Sequence, residues 1–248
     1  MKRVKRRLFS GAVCEHIIYS ISNRADVKKC APRIRFKDDT EREQHRMGIS
    51  RRNHARLVNE NFSPTSLYST LTIDDEHEVH TFEEAKHIRD LYFRRLKYAC
   101  PKAVIFIYLG RGKSTNRIHS HMLSEGVPEE VIRKQWTYGR IVSCSHLREH
   151  NFYNGVDHGQ DYSSLANYLF NHWTPEQGGH RWKQTKNIRK PTAEPPKEIK
   201  REYSEDKPPR APKGYILTET MSTPYGYLYF KYVRVPEKRK PKNEKMMC

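Results

Sequence analysis

Cysteine is sparse and scattered in this chain of 248 residues: Cys14, Cys30, Cys100, Cys144 and Cys248 are odd in number, and no two of them form a Cys-x-x-Cys pair. A structural zinc knuckle and a disulfide framework are thereby excluded, and a reducing cytoplasm is the expected setting. Long apolar runs are missing too. No stretch approaches the roughly 20 apolar residues of a membrane span, and no apolar segment follows the basic N-terminus, so neither a membrane anchor nor a signal peptide is expected. A complete Walker loop is absent, which excludes a fused helicase motor. There is no internal repeat. Negative charge is in short supply: 29 acidic residues face 47 Lys and Arg, leaving a formal net charge of +18. Such a surplus repels itself in a compact monomer and makes sense beside a polyanion.

The basic residues are thickest at the ends. Lys2, Arg3, Lys5, Arg6 and Arg7 open the chain, Arg51, Arg52 and Arg56 follow, and Lys197 to Lys213 mixes bases with prolines. Tyrosines are interleaved throughout, 15 in all, each offering a face for an unpaired base. Residues 1–60 read as a basic N-terminal extension, with a short strand near Val13–Ser20 and a helical piece from about Asp39 to Asn59. From Leu67 the patterning sharpens. Leu67–Ile73 alternates as a strand. Phe82–Ala99 has helical spacing, with acids early and bases late. Ala103–Leu109 reads as a buried strand, Gly110–Asn116 as a turn, and Arg117–Leu123 as a strand. Pro128–Trp136 reads as a helix, Ile141–Ser145 as a strand, and His150–Gln160 as a loop. A helix capped by Asp161 or Ser163 then runs to about His172. The order β-α-β-β-α-β-α predicts an α+β fold: a ferredoxin-like antiparallel central sheet with flanking helices, over residues 61–190. Residues 191–213 read as a Pro/Lys-rich connector. Residues 214–248 read as a C-terminal strand pair around Pro224-Tyr225-Gly226, followed by a basic tail.

The sharpest local feature is Arg117-Ile118-His119-Ser120-His121-Met122. Residues two apart on a strand share a face, so His119 and His121 project together and can share one divalent ion. The second feature is Leu165-Ala166-Asn167-Tyr168-Leu169-Phe170-Asn171-His172. Tyr168 and His172 are four apart and hence neighbours on one side of a helix. A phenol, with a pKa near about 10, is a poor nucleophile at neutral pH. A metal that neutralises a scissile phosphate makes its attack feasible, and a phosphotyrosine conserves the energy of the broken bond for resealing.

In order and spacing, these motifs resemble the HUH endonucleases, specifically the rolling-circle replication proteins of bacterial plasmids, phages and integrated elements. Ser69–Ile73 is similar to the family's first strand motif and Arg117–His121 to its histidine motif. Trp136–Val142 is similar to a tryptophan–glycine–arginine turn, and Asn167–Asn171 to the tyrosine helix. Thr185–Pro191 is similar to the segment that follows that helix, and Arg33–Asn61 to a basic stretch of firmicute versions. The resemblance implies that His119 and His121 bind Mg²⁺ or Mn²⁺ and that Tyr168 is the nucleophile. It implies a nick leaving a 5′-phosphotyrosine and a free 3′-OH primer, in the bacterial cytoplasm. The substrate would be single-stranded or hairpin DNA at a replication origin, with a host helicase and polymerase as partners and the oligomeric state open. Arg51, Arg52, Arg117 and Arg140 are the expected DNA-backbone contacts.

Three departures from the family pattern stand out. Ser120 replaces an apolar residue between the histidines. No acid stands near Leu109 and Gly110, where many relatives have a third ligand. Asn171 stands where many have lysine. His172, one turn beyond Tyr168, is the expected replacement ligand; the alternative gives it only the place of a second tyrosine. Tyr162 falls on another side of the helix and is the weaker nucleophile candidate. Rival readings are an HUH relaxase or transposase, a non-catalytic basic nucleic-acid-binding protein, and a two-histidine phosphoesterase. Relaxases put the tyrosine before the histidines. RNA-binding sheets need aromatic strand motifs not found here, and the phosphoesterase needs two separated His-x-Ser/Thr motifs.

Overall fold

The structure, a computed structural model, describes residues 2–21, 38–77, 79–112, 116–153, 155–174, 177–223 and 226–235. Pro224 and Tyr225 of the turn Pro224-Tyr225-Gly226, part of the Gly110–Asn116 turn, part of the stretch Arg33–Asn61 and the basic C-terminal tail lie outside the described residues.

The elements run β1 (Lys2–Ser10), β2 (Val13–Ile21), α1 (Asp39–Asn61), β3 (Leu67–Thr72), α2 (Phe82–Ala99), β4 (Val104–Arg111), β5 (Ile118–Glu125), α3 (Glu129–Gln135) and β6 (Val142–His146). They continue as β7 (Phe152–Tyr153), β8 (Val156–Asp157), α4 (Ser163–Phe170), β9 (Trp182–Gln184), β10 (Thr192–Ala193), β11 (Lys197–Glu198), β12 (Tyr215–Ser222) and β13 (Leu228–Arg234). The fold is mixed α+β, and its sheets are antiparallel. Among the described residues no helix is long and apolar enough to cross a membrane.

The central sheet has the order β6-β3-β5-β4-β9. Strand alternation sends successive side chains to opposite faces, and this sheet is covered on both. Leu67, Leu71, Ile105, Ile107 and Met122 pack with Ile88, Tyr92 and Leu96 of α2 and with Ile132 of α3. Phe106, Tyr108 and Leu123 pack on the other face with Ala55 and Val58 of α1 and with Ala166 and Leu169 of α4. β4 reads as a continuous apolar run because it is buried on both faces. Helix α2 starts at a capping box in which Thr81 accepts from the Glu84 amide and Glu84 accepts from the Thr81 amide.

The second sheet joins regions that the sequence reading set apart. Its order is β10-β1-β2-β13-β12, with β11 also on β1. The supposed N-terminal extension, the connector and the C-terminal strand pair are thus partners in one sheet. Lys2–Ser10, read only as a basic stretch, is a strand with Val4, Leu8 and Ser10 buried. His150–Gln160, read as a loop, contains the hairpin β7–β8. Polar bonds tie the second sheet to the helices. Arg56 of α1 meets Glu15 of β2 at 2.6 Å, and Lys231 of β13 meets Asp161, just before α4, at 3.2 Å.

Candidate metal centre

His119 and His121 leave β5 on the face covered by α1 and α4, the side on which Leu123 packs. Ser120 points to the other face and is buried there. In the ladder His119 lies between Thr72 and Gly110, and His121 between Thr70 and Tyr108. Helix α4 ends at Phe170, and the chain then turns, with the His172 amide donating to the Leu169 carbonyl at 3.2 Å. That turn brings the His172 ring over Gly110. One ligand atom from each of His119, His121 and His172 lies within 4.8 Å of the other two. The three form a cluster able to hold a divalent metal ion.

The donor geometry fits an ion. His119 Nε2 and His121 Nε2 are 3.0 Å apart. Two imidazole nitrogens at right angles on one ion, each about 2.1 Å from it, stand about 3.0 Å apart. Each ring's other nitrogen already has a partner. His172 Nδ1–H donates to the Tyr168 carbonyl at 3.1 Å, and His119 Nδ1 faces the Arg117 carbonyl at 3.4 Å. His121 Nδ1 faces the Tyr68 hydroxyl at 2.7 Å and the Thr70 hydroxyl at 3.2 Å. With Nδ1 protonated, each ring offers a bare Nε2, the outer-contact pattern that orients metal-binding histidines. Burial, then the neighbouring His119 and His172, pushes His121 down to about 3. Burial also lowers His119, against the opposing effect of its bond to Arg117, and lowers His172, helped by His119. All three are held in the neutral, ligating form at pH 7.

Gly110 makes room for this arrangement. A Cβ there would stand 2.6 Å from His172 Cδ2 and 3.4 Å from His119 Nε2. The space beside β4 where an acidic ligand was sought is filled instead by the His172 ring.

Tyr168 lies at the rim. Its ring is 4.3 Å from that of His172 and 5.7 Å from that of His121, and half of the residue is exposed (50%). Among the described residues no hydrogen bond ties its hydroxyl. Tyr162, by contrast, is buried, its hydroxyl donates to the Arg148 carbonyl at 3.1 Å, and burial raises its pKa. It immediately precedes α4 without a side-chain cap bond; Asp161 supplies that bond, accepting from the Ser163 amide at 2.9 Å.

The arginines divide. Arg51 reaches α4, donating to Asn171 Oδ1 at 3.2 Å. Arg52 is exposed and lines a groove of about 270 Å³ between α1 and the second sheet. Arg117 pairs with Asp75 at 2.8 Å, and Arg140 pairs with Glu76 at 3.3 Å and lies 3.9 Å from Asp74. The Trp136–Val142 segment clamps the end of β3. Trp136 Nε1 donates to the Thr72 carbonyl at 2.9 Å, and Gly139 lies so close to that carbonyl that a Cβ would collide with it. Sequence reasoning missed Gly110, Tyr68 and Thr70. Tyr68 and Thr70 carried a signal, since strand alternation puts them on one face of β3. Gly110 carried none.

No protein-family model, no curated protein and no solved structure matches the chain. Fold and site together define a mixed α+β protein with antiparallel sheets and a three-histidine cluster fit for a divalent ion.

Proposed function

We propose that this protein is a metal-dependent, site-specific endonuclease that nicks single-stranded DNA with Tyr168. On this reading it is an HUH-type initiator of rolling-circle replication for a plasmid, phage or related element. The observation that carries the reading is the half-exposed Tyr168 ring packed on His172 and His121, at the open side of three convergent imidazoles. The reading calls for a ferredoxin-like sheet. The strand order β6-β3-β5-β4, with α2 and α3 on one face, supports it.

A divalent ion bound there would neutralise charge on the scissile phosphate. Of the two ions considered, an all-imidazole donor set favours Mn²⁺ over Mg²⁺. The chain's own residues do the rest. His119, His121 and His172 stay neutral and fixed through their Nδ1 contacts. Tyr168 Oη forms a bond to phosphorus while the bond to the 3′ oxygen breaks; the phenol proton is lost to water and the 3′ oxygen gains one. The products are a 5′-phosphotyrosine and a 3′-OH from which a host polymerase, assisted by a host helicase, extends.

Wild type and Tyr168→Phe are incubated with labelled single-stranded DNA from the gene's own neighbourhood in Mn²⁺ and run on a denaturing protein gel. A DNA-linked band for wild type that vanishes in Tyr168→Phe is the expected result; its absence from wild type sinks the proposal. A second reading, direct hydrolysis, draws on the all-imidazole donor set, which also suits hydrolytic centres. It predicts cut DNA, without a protein adduct, from both variants.

A further inference from the structure

Beyond the histidines, two arginines flank the end of α4. Arg181 lies over the ring of Trp173, 4.1 Å from its centroid, and over that of Phe170 at 4.4 Å. Arg51 approaches the same Phe170 ring at 5.9 Å and holds Asn171. Phe170, Asn171 and Trp173 flank His172 in the chain, so both guanidinium groups gather on residues next to that ligand in sequence, at the end of α4. Neither arginine lies within ion-pair distance of an acid among the described residues. Arg7, Arg56, Arg89 and Arg133, by contrast, each meet a carboxylate. Arg51 Nε is buried without a hydrogen-bond partner. Arg181 also donates to Met47 Sδ at 2.7 Å, and the Glu43 carboxylate acts on it only from beyond ion-pair distance; two like charges gathered on one aromatic ring are thus left without a close anion among the described residues.

We propose that Arg51 and Arg181 form a clamp for one backbone phosphate of the DNA strand, next to the phosphate that Tyr168 attacks. This rests on the nickase reading above. Guanidinium forks match the paired oxygens of a phosphodiester, and packing on aromatic rings pre-sets their planes. The platform carries both jobs: Phe170 stacks the arginines, and the turn that follows it delivers His172. A strand held there is fixed in register against Tyr168.

The test uses full-length protein in chelator, with anisotropy of a short labelled oligothymidylate between about 50 and 200 mM salt. Losing one phosphate contact lowers the slope of log affinity against log salt by about 0.7, or about fivefold in affinity near 0.1 M salt. Arg51→Gln/Arg181→Gln shows this loss, and Arg51→Lys/Arg181→Lys keeps most of the slope. Arg51→Gln alone, which leaves the Arg181–Trp173–Phe170 stack in place, moves in the same direction even if the double variant folds poorly. A methylphosphonate oligonucleotide, without backbone charge, binds wild type and variants alike.

Wild-type slope and affinity in the Gln variants overturn the clamp. So does an equal loss on the methylphosphonate strand, which would mean a packing role. Competition by inorganic phosphate in wild type, with no slope difference on DNA, would mean a free-anion site and also overturns it. Tyr168→Phe keeps the full slope. A wild type that binds the oligonucleotide but never forms the covalent adduct therefore sinks the nickase reading separately, and the slope alone then judges the clamp.

Discussion

Gly110→Ala is the smallest change that reaches the metal centre without touching a ligand. The added Cβ would meet His172 Cδ2 at 2.6 Å and Cγ at 3.2 Å. Carbon atoms rest about 3.5 Å apart, so the ring must retreat by about 0.9 Å. Metal–ligand distances tolerate about 0.2 Å, so His172 cannot keep its place on an ion shared with His119 and His121. Mispositioning a ligand costs about 10- to 100-fold in affinity, or about 1.4 to 2.7 kcal/mol. The backbone should not object, because Gly110 is not among the residues at positive φ. Alanine in an unstrained position stabilises by about 0.4–1 kcal/mol through the unfolded chain, which offsets part of any local crowding. The expected signature is therefore a large loss in calorimetric Mn²⁺ titration with little change in the melting temperature of metal-free protein. Adding Gly110→Ala to His172→Ala should cost almost nothing more, since both act through one ring. A Gly110→Ala protein that binds Mn²⁺ as tightly as wild type refutes the reasoning, and a His172→Ala protein that does so removes His172 from the ligand set.

Tyr68→Phe removes the hydroxyl 2.7 Å from His121 Nδ1 and leaves Thr70 at 3.2 Å; Mn²⁺ affinity should fall about tenfold with the fold intact, and unchanged affinity would deny Tyr68 an orienting role. His54, buried among Phe106, Tyr108, Phe170 and Trp182, is pushed down by burial to about 3. Its folded pKa lies below the unfolded value of about 6.5, so its stabilisation is full above that pH and is lost as pH falls towards 3, at about 1.4 kcal/mol per unit. Urea midpoints measured from pH 7 to 4.5 should fall less steeply in His54→Phe than in wild type, and parallel curves would contradict this. Lys231→Met takes the counter-charge from buried Asp161, which keeps only its hydrogen bonds from Ser163 and Asn59, a loss of about 3–5 kcal/mol; pairing it with Asp161→Asn should recover part of that in chemical denaturation, and no recovery would mean that the ion pair is not what the lysine supplies.

Much of the central unit was legible because its elements are local and periodic. Leu67–Thr72 alternates, Phe82–Ala99 repeats every three to four residues, and β4 is an unbroken apolar run. The two-residue spacing of His119 and His121 needs only the geometry of a strand, and His172 needs only one helical turn from Tyr168. What stayed hidden depends on partners distant in sequence. In β1 the inward Val4, Leu8 and Ser10 are separated by Arg6 and by outward bases, so a strand passes for a charged tail. It becomes one only by pairing with β2, β10 and β11. Helix α1 buries His54, Asn59 and Asn61 beside Ala55 and Val58, so its inner face looks polar. Asn59 is buried because it bonds Asp161 and the Tyr162 amide, neither of which is near it in the chain. Gly110 reveals its purpose only with His172 in view.

The second sheet gives the order of synthesis a part in the outcome. β1 and β2 leave the ribosome well before β13, and one edge of β2 stays open until β13 is made. All three histidines and Tyr168 are already in the chain by then. Asp161, at the foot of the helix that bears Tyr168, still lacks Lys231, and an uncovered strand edge is a template for wrong pairing. A chain cut short before β13 would carry every chemical group of the centre without the base on which its last helix stands. Completing β13 thus becomes a condition for a firmly held three-histidine cluster, and truncated products are expected to bind a metal ion weakly before they misassemble.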